Sequence, residues 1–335
     1  MKTSMWKQAI QGIPRISGEE WRGLSAFTRW LISVRAAVLV MTFISAALAG
    51  LMAWRDGGFV WWRWLLLALG LMLAHATNNI LNDITDHQKG VDHENYFRTQ
   101  YGVQPLEAGL MSRRQAYLMA GITGVLAIAA GLPLVLTSGA SGWGLLAAGA
   151  FFVLFYTFPL KYIGLGEISV ILVWGPLMVG GGYYVITGMW SWEAVVVSLP
   201  YALGTTMVIF GKHIDKRAAD KAKGIHTLPV ILGDTFSRFT TVVMMALQYV
   251  LVAGLVLSRV FSPILLVAFL AIDTLPEVWK VYKNPKPESI PEGYRADVWP
   301  LYYVALAFVH NRKFGMWYLG GIFADTLLRS LHLLK

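Results

Sequence analysis

The sequence predicts an all-α integral membrane protein with about nine transmembrane helices. Of its 335 residues, 56% are hydrophobic and only 14% are charged, whereas soluble domains carry about 25% charged residues. Apolar runs of about 20 residues, long enough to cross a bilayer, recur along the whole chain. These runs are continuous instead of alternating, which argues against a β-barrel. The composition therefore excludes both an ordinary soluble globule and a disordered chain.

Each predicted span is a continuous apolar stretch that ends at polar or turn-forming residues. The predicted spans are Trp30–Trp54, Val60–Asn79, Ala116–Thr137, Trp143–Phe158, Ile168–Thr187, Val195–Phe210, Thr240–Leu257, Pro263–Val278 and a stretch within Val298–Leu334. Polar residues 311–313 interrupt the last stretch, so it is either one bent span or an interfacial helix followed by a span. Residues 1–28 are expected to form a polar cytoplasmic segment, and residues 29–335 one transmembrane domain.

The distribution of positive charge predicts how the protein is oriented. With the N-terminus in the cytoplasm, the cytoplasmic segments hold nineteen Lys and Arg residues, and the opposite side holds Arg55, Arg63 and Arg259. The positive-inside rule then places the even-numbered loops in the cytoplasm. This bias accounts for the net charge of +9 without a nucleic-acid partner. The expected location is the inner membrane of a prokaryote.

A first acidic motif, residues 78–92, lies at the end of the second predicted helix. Asn79, Asp83 and Asp86 follow the spacing i, i+4, i+7, and Asn82 lies four residues before Asp86, so these groups share one helical face. Clustered carboxylates repel one another unless a cation lies among them. Oxygen ligands suit Mg²⁺, which binds through one or two carboxylates and substrate phosphates. The alternative is a solvated helix end that merely prefers polar residues.

A second acidic motif, residues 212–229, follows the sixth predicted helix. Asp215 and Asp220 stand among five Lys and Arg residues; the carboxylates suit a metal, and the cations suit phosphate oxygens. By itself this stretch is a charged loop. Its position four helices after the first motif predicts that the two motifs face each other. The loops that follow helices 2 and 6 are long and charged, which predicts that the function lies on the cytoplasmic face.

Two isolated cations accompany these motifs. Lys161 is the only charge in an otherwise apolar turn and is either a snorkelling lysine or a diphosphate ligand. Arg35 lies inside the first span, where an unpaired charge is costly, so it either snorkels to the membrane edge or faces a polar cavity. Metal ligands and cations above an apolar bundle indicate a lipid substrate with a diphosphate head group, which a metal would turn into a leaving group.

These motifs resemble those of the UbiA superfamily of intramembrane prenyltransferases. The resemblance rests on Asn82-Asp83-x-x-Asp86-x-x-x-Gly90-x-Asp92, Pro105–Ser112, Tyr162–Ile168, Trp174-Gly175-Pro176, Gly182-Tyr183-Tyr184 and Asp220–Gly233. They are most similar to the branch that prenylates 1,4-dihydroxy-2-naphthoate in menaquinone synthesis. The resemblance implies a nine-helix bundle in membrane lipid, with a cytoplasmic cap formed by the loops that follow helices 2 and 6. It also implies Mg²⁺ as cofactor, a polyprenyl diphosphate donor and a small aromatic acceptor.

The resemblance also implies roles for individual residues. The ligands of two Mg²⁺–diphosphate units would be Asn82, Asp83, Asp86 and Asp92 in the first and Asp215 and Asp220 in the second. The diphosphate oxygens would contact Lys89, Arg98 and Lys161, and the acceptor would contact Arg35 and Asn79. Among these residues, Asp83, Asp86, Asp215 and Asp220 are the predicted catalytic residues.

The second motif departs from the family pattern and leaves the acceptor open. The usual Asn-Asp-x-x-Asp start would fall on Lys212, His213 and Lys216, so Asp215 is displaced by one position. Another aromatic acid, a glycerol phosphate or a sugar phosphate is an alternative acceptor. From another class, a cation or lipid transporter remains an alternative, because acidic groups inside a membrane can line an ion path.

Overall fold

The computed structural model of the protein describes residues 4–91, 102–296 and 298–334. Throughout these ranges the regular structure is helical, without a β-strand, which confirms the all-α prediction. The helices are α1 (Met5–Gln11), α2 (Gly18–Arg22), α3 (Ala26–Ser33), α4 (Leu39–Arg55), α5 (Trp61–Gln88), α6 (Arg113–Thr137), α7 (Gly139–Phe155), α8 (Gly166–Leu172), α9 (Gly181–Thr187), α10 (Trp192–Asp215), α11 (Arg217–Ala222), α12 (Leu228–Leu232), α13 (Asp234–Leu257), α14 (Leu275–Tyr282) and α15 (Tyr303–Ser330). Short 3₁₀ segments occupy Ala36–Val38, Leu160–Ile163 and Pro263–Thr274, and a π-helical stretch occupies Val173–Gly180. The predicted site residues Asp92 and Arg98 lie outside the described ranges.

The number of membrane-crossing helices differs from the prediction. In the described part of the chain, six segments are long and apolar enough to cross a membrane. They are Ala36–Arg55, Trp61–Gln88, Arg113–Thr137, Gly166–Thr187, Trp192–Asp215 and Asp234–Leu257. Helix α7 is apolar but has only 17 residues. The predicted count of nine spans and the predicted cytoplasmic cap are therefore not confirmed.

Two predicted spans have different boundaries for local chemical reasons. The sequence places the start of the first span at Trp30, but Arg35 adopts a left-handed backbone conformation with φ 55°. This conformation interrupts a right-handed helix, so the span begins at Ala36. The last predicted stretch contains one continuous helix, α15. Within its polar interruption, Lys313 forms an ion pair with Asp273 at the surface.

Helices α5 and α10 carry the two acidic motifs to one end of the bundle, which we call the motif end. Helix α5 has 28 residues and is about 42 Å long, so its last turns extend beyond a hydrocarbon core of about 30 Å. Helix α10 ends at Asp215, and α11 carries Asp220. Beyond α11, Lys223 Nζ donates to the carbonyl oxygens of Gly90, at 3.0 Å, and Val91. The two motifs therefore meet, as predicted.

An apolar core joins α4, α10, α13 and α15 below the motif end. Its buried side chains include Leu48, Tyr201 and Phe314. Near the motif end, α10 and α15 approach closely because Gly211 has no side chain. A Cβ atom there would lie 2.9 Å from backbone atoms of Val304. Small residues allow such close helix contacts inside membranes, and this contact brings the start of α15 to the end of α10.

The N-terminal segment packs against the motif end. Ala9 of α1 and Trp21 of α2 are buried in an apolar cluster with residues of α3, α5 and α6. Between these two helices, the carbonyl oxygen of Pro14 accepts a hydrogen bond from the backbone N–H of Val103 at 3.1 Å. The stretch that the sequence predicts as a separate polar segment therefore contributes apolar residues to the bundle.

Candidate active site

A cavity of about 440 Å³ opens at the motif end. Its charged, amide and imidazole side chains are Gln11, Arg35, His75, Asn78, Asn79, Asn82, Asp86, Lys161, Lys212, His213, Lys216 and Asp220, and hydroxyl groups come from Tyr156, Ser169 and Thr205. Apolar residues such as Met41 and Leu71 line the part that extends into the bundle. Leu71 precedes Asp86 by fifteen positions on α5, a rise of about 22 Å. The cavity thus suits a molecule with a charged head and an apolar body.

One face of α5 supplies the first-motif residues of this cavity. His75, Asn79, Asn82 and Asp86 all line it, and their spacing of four, three and four residues forms one stripe along a helix. Of the residues predicted to share one face, Asn79, Asn82 and Asp86 therefore line the cavity, and His75 extends their stripe. Asp83 lies beside the stripe, where its carboxylate forms an ion pair with Arg35. Arg35 itself lines the cavity, in agreement with the polar-cavity alternative predicted for it.

The two predicted asparagines have specific partners next to the cavity. Asn79 donates its side-chain N–H to the carbonyl oxygen of Val34 at 2.9 Å. Asn82 donates to the hydroxyl oxygen of Thr157 at 3.0 Å. Because each N–H group is fixed by a buried partner, the orientation of both amide groups is set before any ligand binds.

Asp86 and Lys161 form a buried ion pair in the wall of the cavity. The Lys161 ammonium lies 2.7 Å from Asp86 Oδ1, and the two residues are only 6% and 2% exposed. Buried charges require such partners because desolvation is costly. The pair excludes the snorkelling interpretation of Lys161 and places a cation next to the central carboxylate of the first motif.

The second motif places Asp220 in the same cavity. The Asp220 carboxylate is buried and lies 3.3 Å from the ammonium of Lys216, and both residues line the cavity. This loop is fixed to the turn that carries Lys161, because the backbone N–H of His226 donates to the Tyr162 carbonyl oxygen at 3.1 Å. The structure thus brings together two carboxylate–lysine pairs from segments that are distant in sequence.

Asp215 occupies a different place. Its carboxylate accepts backbone N–H bonds from Tyr302 at 3.0 Å, Tyr303 at 3.1 Å and Val304 at 3.1 Å. The ammonium of Lys286 lies 3.3 Å away, and burial lowers the pKa of this lysine although the carboxylate opposes the shift. These four contacts occupy the lone pairs of a carboxylate, and Asp215 is not among the residues that line the cavity. It satisfies the N-terminal N–H groups of α15 instead.

Lys89, a predicted diphosphate ligand, also lies outside the cavity lining. Its exposed ammonium stands 3.7 Å from the ring centroid of Phe158. Such a cation–π contact fixes a surface lysine without a phosphate. Of the three predicted diphosphate-binding cations, Lys161 is therefore the one that the described structure places in the cavity.

Sequence reasoning missed several polar residues of the cavity. Lys216 precedes Asp220 by four positions, a spacing at which opposite charges pair along a helix, so this signal was available. His75 continues the stripe of Asn79 by one helical turn. His213 pairs with the buried Glu167, and nothing in their separation along the sequence indicates this contact.

The oxygen ligands of the cavity suit a Mg²⁺ ion that is bound jointly by the protein and a diphosphate. They suit a metal ion bound by protein side chains alone less well. Among the described residues, no group of three or more His, Asp or Glu side chains converges as a metal site. Asp86, Asp220 and the amide of Asn82 nevertheless line one cavity, and Mg²⁺ is usually held by one or two carboxylates together with substrate phosphates. Lys161 and Lys216, which pair with these carboxylates, suit phosphate oxygens.

The fold and the site define an all-helical integral membrane protein with a buried acidic and basic cavity. The sequence profile of the UbiA prenyltransferase family matches residues 43–299. The chain therefore belongs to the UbiA prenyltransferase family and is a prenyltransferase. The transporter interpretation is not supported.

Curated relatives include animal proteins of this family. The chain is 25% identical to UbiA prenyltransferase domain-containing protein 1 of Mus musculus over 237 residues, which is 67% of this chain and 66% of the mouse protein. It is 26% identical to the Drosophila melanogaster homologue over 276 residues, 79% of this chain and 72% of that protein. The chain thus spans slightly less than two thirds of the mouse relative.

Solved structures of archaeal UbiA homologues have the same fold. The Aeropyrum pernix K1 homologue has a TM-score of 0.60 at 16% identity and covers 87% of this chain and 97% of its own. The Archaeoglobus fulgidus homologue bound to GPP and Mg²⁺ has a TM-score of 0.56 at 16% identity, with coverages of 88% and 99%. A digeranylgeranylglyceryl phosphate synthase also has a TM-score of 0.56 at 16% identity, with coverages of 89% and 99%.

Proposed function

We propose that the protein transfers a polyprenyl group from polyprenyl diphosphate to an aromatic acceptor in a Mg²⁺-dependent reaction. One observation carries the proposal. Asp86 and Asp220, one from each motif, line the same cavity, and each carries a lysine partner there. Carboxylates for a metal beside cations for phosphates form a site for a metal–diphosphate unit. The archaeal neighbour bound to GPP and Mg²⁺ supports this choice of ligand.

The chain's own residues would prepare the diphosphate to leave. Bound Mg²⁺ would supply charge neutralisation of the leaving diphosphate. Asp86, Asp220 and Asn82 would hold this ion, while Lys161 and Lys216 would turn from the carboxylates to phosphate oxygens. The apolar cavity wall would keep water away from the allylic carbon. A ring carbon of the acceptor would bond to the allylic carbon as the bond between that carbon and the diphosphate oxygen breaks. The proton or carboxyl group on the ring carbon would then leave, which restores the aromatic ring.

Among the predicted ligands, Asp83 and Asp215 receive different roles in this proposal. Asp83 would hold Arg35 at the cavity through their ion pair. Asp215 would hold the start of α15 through its three backbone N–H contacts. Neither lines the cavity, so neither is needed to explain how a metal–diphosphate unit would bind.

The proposed acceptor is 1,4-dihydroxy-2-naphthoate. The motif resemblance to the naphthoate branch supports it. A glycerol phosphate acceptor is the second candidate, because one structural neighbour is a digeranylgeranylglyceryl phosphate synthase. A transfer assay with labelled geranyl diphosphate and both acceptors decides between them. Transfer to neither acceptor, nor to other hydroxylated aromatic acids, would contradict the proposed reaction.

We further propose that the motif end faces the cytoplasm. The excess of Lys and Arg in the even-numbered loops supports this orientation. A cysteine introduced at Lys221, in an otherwise cysteine-free chain, should react with a membrane-impermeant maleimide in inverted vesicles but not in intact cells. The opposite pattern would reverse the orientation.

Mg²⁺ and geranyl diphosphate should stabilise the protein only together. A ligand at a hundred times its dissociation constant adds about 2.7 kcal/mol to the free energy of unfolding. We therefore expect the melting temperature in detergent to rise when both are added, and the rise to disappear with EDTA. An equal rise with EDTA present would contradict a metal-dependent diphosphate site.

Replacement of Lys161 should weaken donor binding. Lys161→Gln removes the ammonium that lies beside Asp86 in the cavity, so we expect the KM for geranyl diphosphate to rise about tenfold, the loss of one charge-assisted hydrogen bond. Lys89→Gln is the matched control, because Lys89 is exposed and outside the cavity lining. Equal KM changes in the two variants would contradict the distinction between these lysines.

A further inference from the structure

A second polar cluster interrupts the apolar part of the same cavity. It consists of Thr42, His75 and Trp174. The Thr42 hydroxyl lies 2.7 Å from His75 Nδ1. The His75 and Trp174 rings meet edge to face, with centroids 5.2 Å apart and an interplanar angle of 88°. Both rings line the cavity, and none of the three residues belongs to either acidic motif.

The cluster offers two groups that no described residue satisfies. The indole N–H of Trp174 is buried and has no hydrogen-bond partner among the described residues. His75 bonds only through Nδ1, so its Nε2 is also without a partner in the described part of the chain. A buried donor without a partner is unfavourable, so a ligand oxygen that accepts this N–H at the cavity would stabilise it.

The backbone at Trp174 has an uncommon conformation. Trp174 lies in the π-helical stretch Val173–Gly180, which also contains Pro176. Such stretches are rare and often occur at functional sites, because the inserted residue changes the direction of nearby side chains. This stretch packs closely on α10, since a Cβ atom at Gly175 would lie 3.1 Å from Ala202. Packing therefore fixes the backbone next to Trp174.

The cluster lies within reach of the diphosphate site. His75 precedes Asn82 by seven positions on the same face of α5, a rise of about 10 Å. One small aromatic molecule spans such a distance between the cluster and the reacting end of a donor. The side chains between the two places, on the stripe of α5, line the same cavity.

We propose that His75 and Trp174 bind a ring hydroxyl of the acceptor and so position it for prenyl transfer. This inference rests on the proposed prenyl transfer. A hydroxyl oxygen can accept the indole N–H and still bond His75 Nε2. The Thr42 hydroxyl holds the His75 ring through Nδ1: when Nδ1 accepts, Nε2 donates, and when Nδ1 donates, Nε2 accepts. Either tautomer leaves Nε2 complementary to a hydroxyl.

This assignment differs from the one that the sequence suggests. Arg35 and Asn79 are the predicted acceptor ligands, but Arg35 pairs with Asp83 and the Asn79 N–H bonds Val34. The hydroxyl-binding pair has no such competing partners in the described structure. Thr42 is a positioning residue in this arrangement, because it acts on the acceptor through His75.

Conservative variants test the pair by equilibrium binding. Trp174→Phe keeps an aromatic ring and removes the N–H, and Thr42→Val keeps the shape and removes the hydroxyl. Calorimetry in detergent measures the Kd of 1,4-dihydroxy-2-naphthoate and 4-hydroxybenzoate without donor, and the Kd of geranyl diphosphate with Mg²⁺. Trp143→Phe is the matched control, because Trp143 is half exposed on the surface of α7.

We expect wild-type protein to bind at least one of the two phenols. Trp174→Phe and Thr42→Val should each raise that Kd about tenfold and leave the Kd of geranyl diphosphate unchanged, while Trp143→Phe changes neither. No phenol binding by the wild type, unchanged phenol binding in both variants, or an equal loss of donor binding would overturn the assignment. If the protein bound a phenol but transferred no prenyl group to it, the proposed reaction would be contradicted, whereas the assignment of His75 and Trp174 to phenol binding would stand.

Discussion

Asp86→Asn should reduce prenyl transfer by about 10²-fold or more, comparable to the loss of one group that stabilises transition-state charge. The carboxylate of Asp86 is 2% exposed and faces the cavity together with Asp220. An amide of the same shape removes its charge, so the site loses one of the two carboxylates proposed to hold Mg²⁺. Initial rates with geranyl diphosphate, Mg²⁺ and saturating acceptor measure the effect.

The stability of this variant requires its own control, since the substitution leaves the Lys161 ammonium buried without its partner. Breaking a buried ion pair costs about 3–5 kcal/mol. The double variant Asp86→Asn/Lys161→Met removes both charges and should regain most of this stability while remaining inactive. Asp273→Asn, whose carboxylate pairs with Lys313 at the exposed surface, should keep full activity. Turnover near the wild-type rate in the folded double variant would refute the metal role of Asp86.

Asp215→Asn should lower the stability of the protein by about 3 kcal/mol, through the loss of a buried ion pair and a helix cap. The variant should keep its affinity for Mg²⁺ and geranyl diphosphate. The reason is the location of this carboxylate, which holds three N–H groups at the start of α15 and pairs with Lys286. The melting temperature with and without Mg²⁺ and donor separates the two effects.

Asp220→Asn is the matched comparison, because it removes the other second-motif carboxylate from the cavity itself. In Asp215→Asn the ligand-induced rise in melting temperature should equal the wild-type rise, from a lower starting temperature. In Asp220→Asn the rise should disappear. If Asp215→Asn instead kept the wild-type melting temperature without ligand but showed no increase with Mg²⁺ and donor, Asp215 would bind metal, as the sequence pattern suggests.

These contrasts show which parts of the site follow from helical periodicity. Asn79, Asn82 and Asp86 line one cavity because they share a stripe on α5, and the stripe is visible in their spacing. The spacing of Asp215 and Asp220 gives no such information. The chain leaves α10 between them and enters α11, so their side chains need not share a face. The Asp215 carboxylate bonds the N–H groups at the start of α15 because α15 packs closely on Gly211 of α10, and only the tertiary structure shows this contact.

The sequence by itself determined that this protein is an all-helical membrane protein of the UbiA family. Long apolar runs can satisfy their backbone in lipid only as helices or closed barrels, and the acidic motifs identify the family. The tertiary structure alone decided which charges pair, where the spans begin and what completes the cavity. Lys161 meets Asp86 across 75 positions, and His75 meets Trp174 across 99. Contacts at such separations depend on how the helices pack, and no local pattern records them.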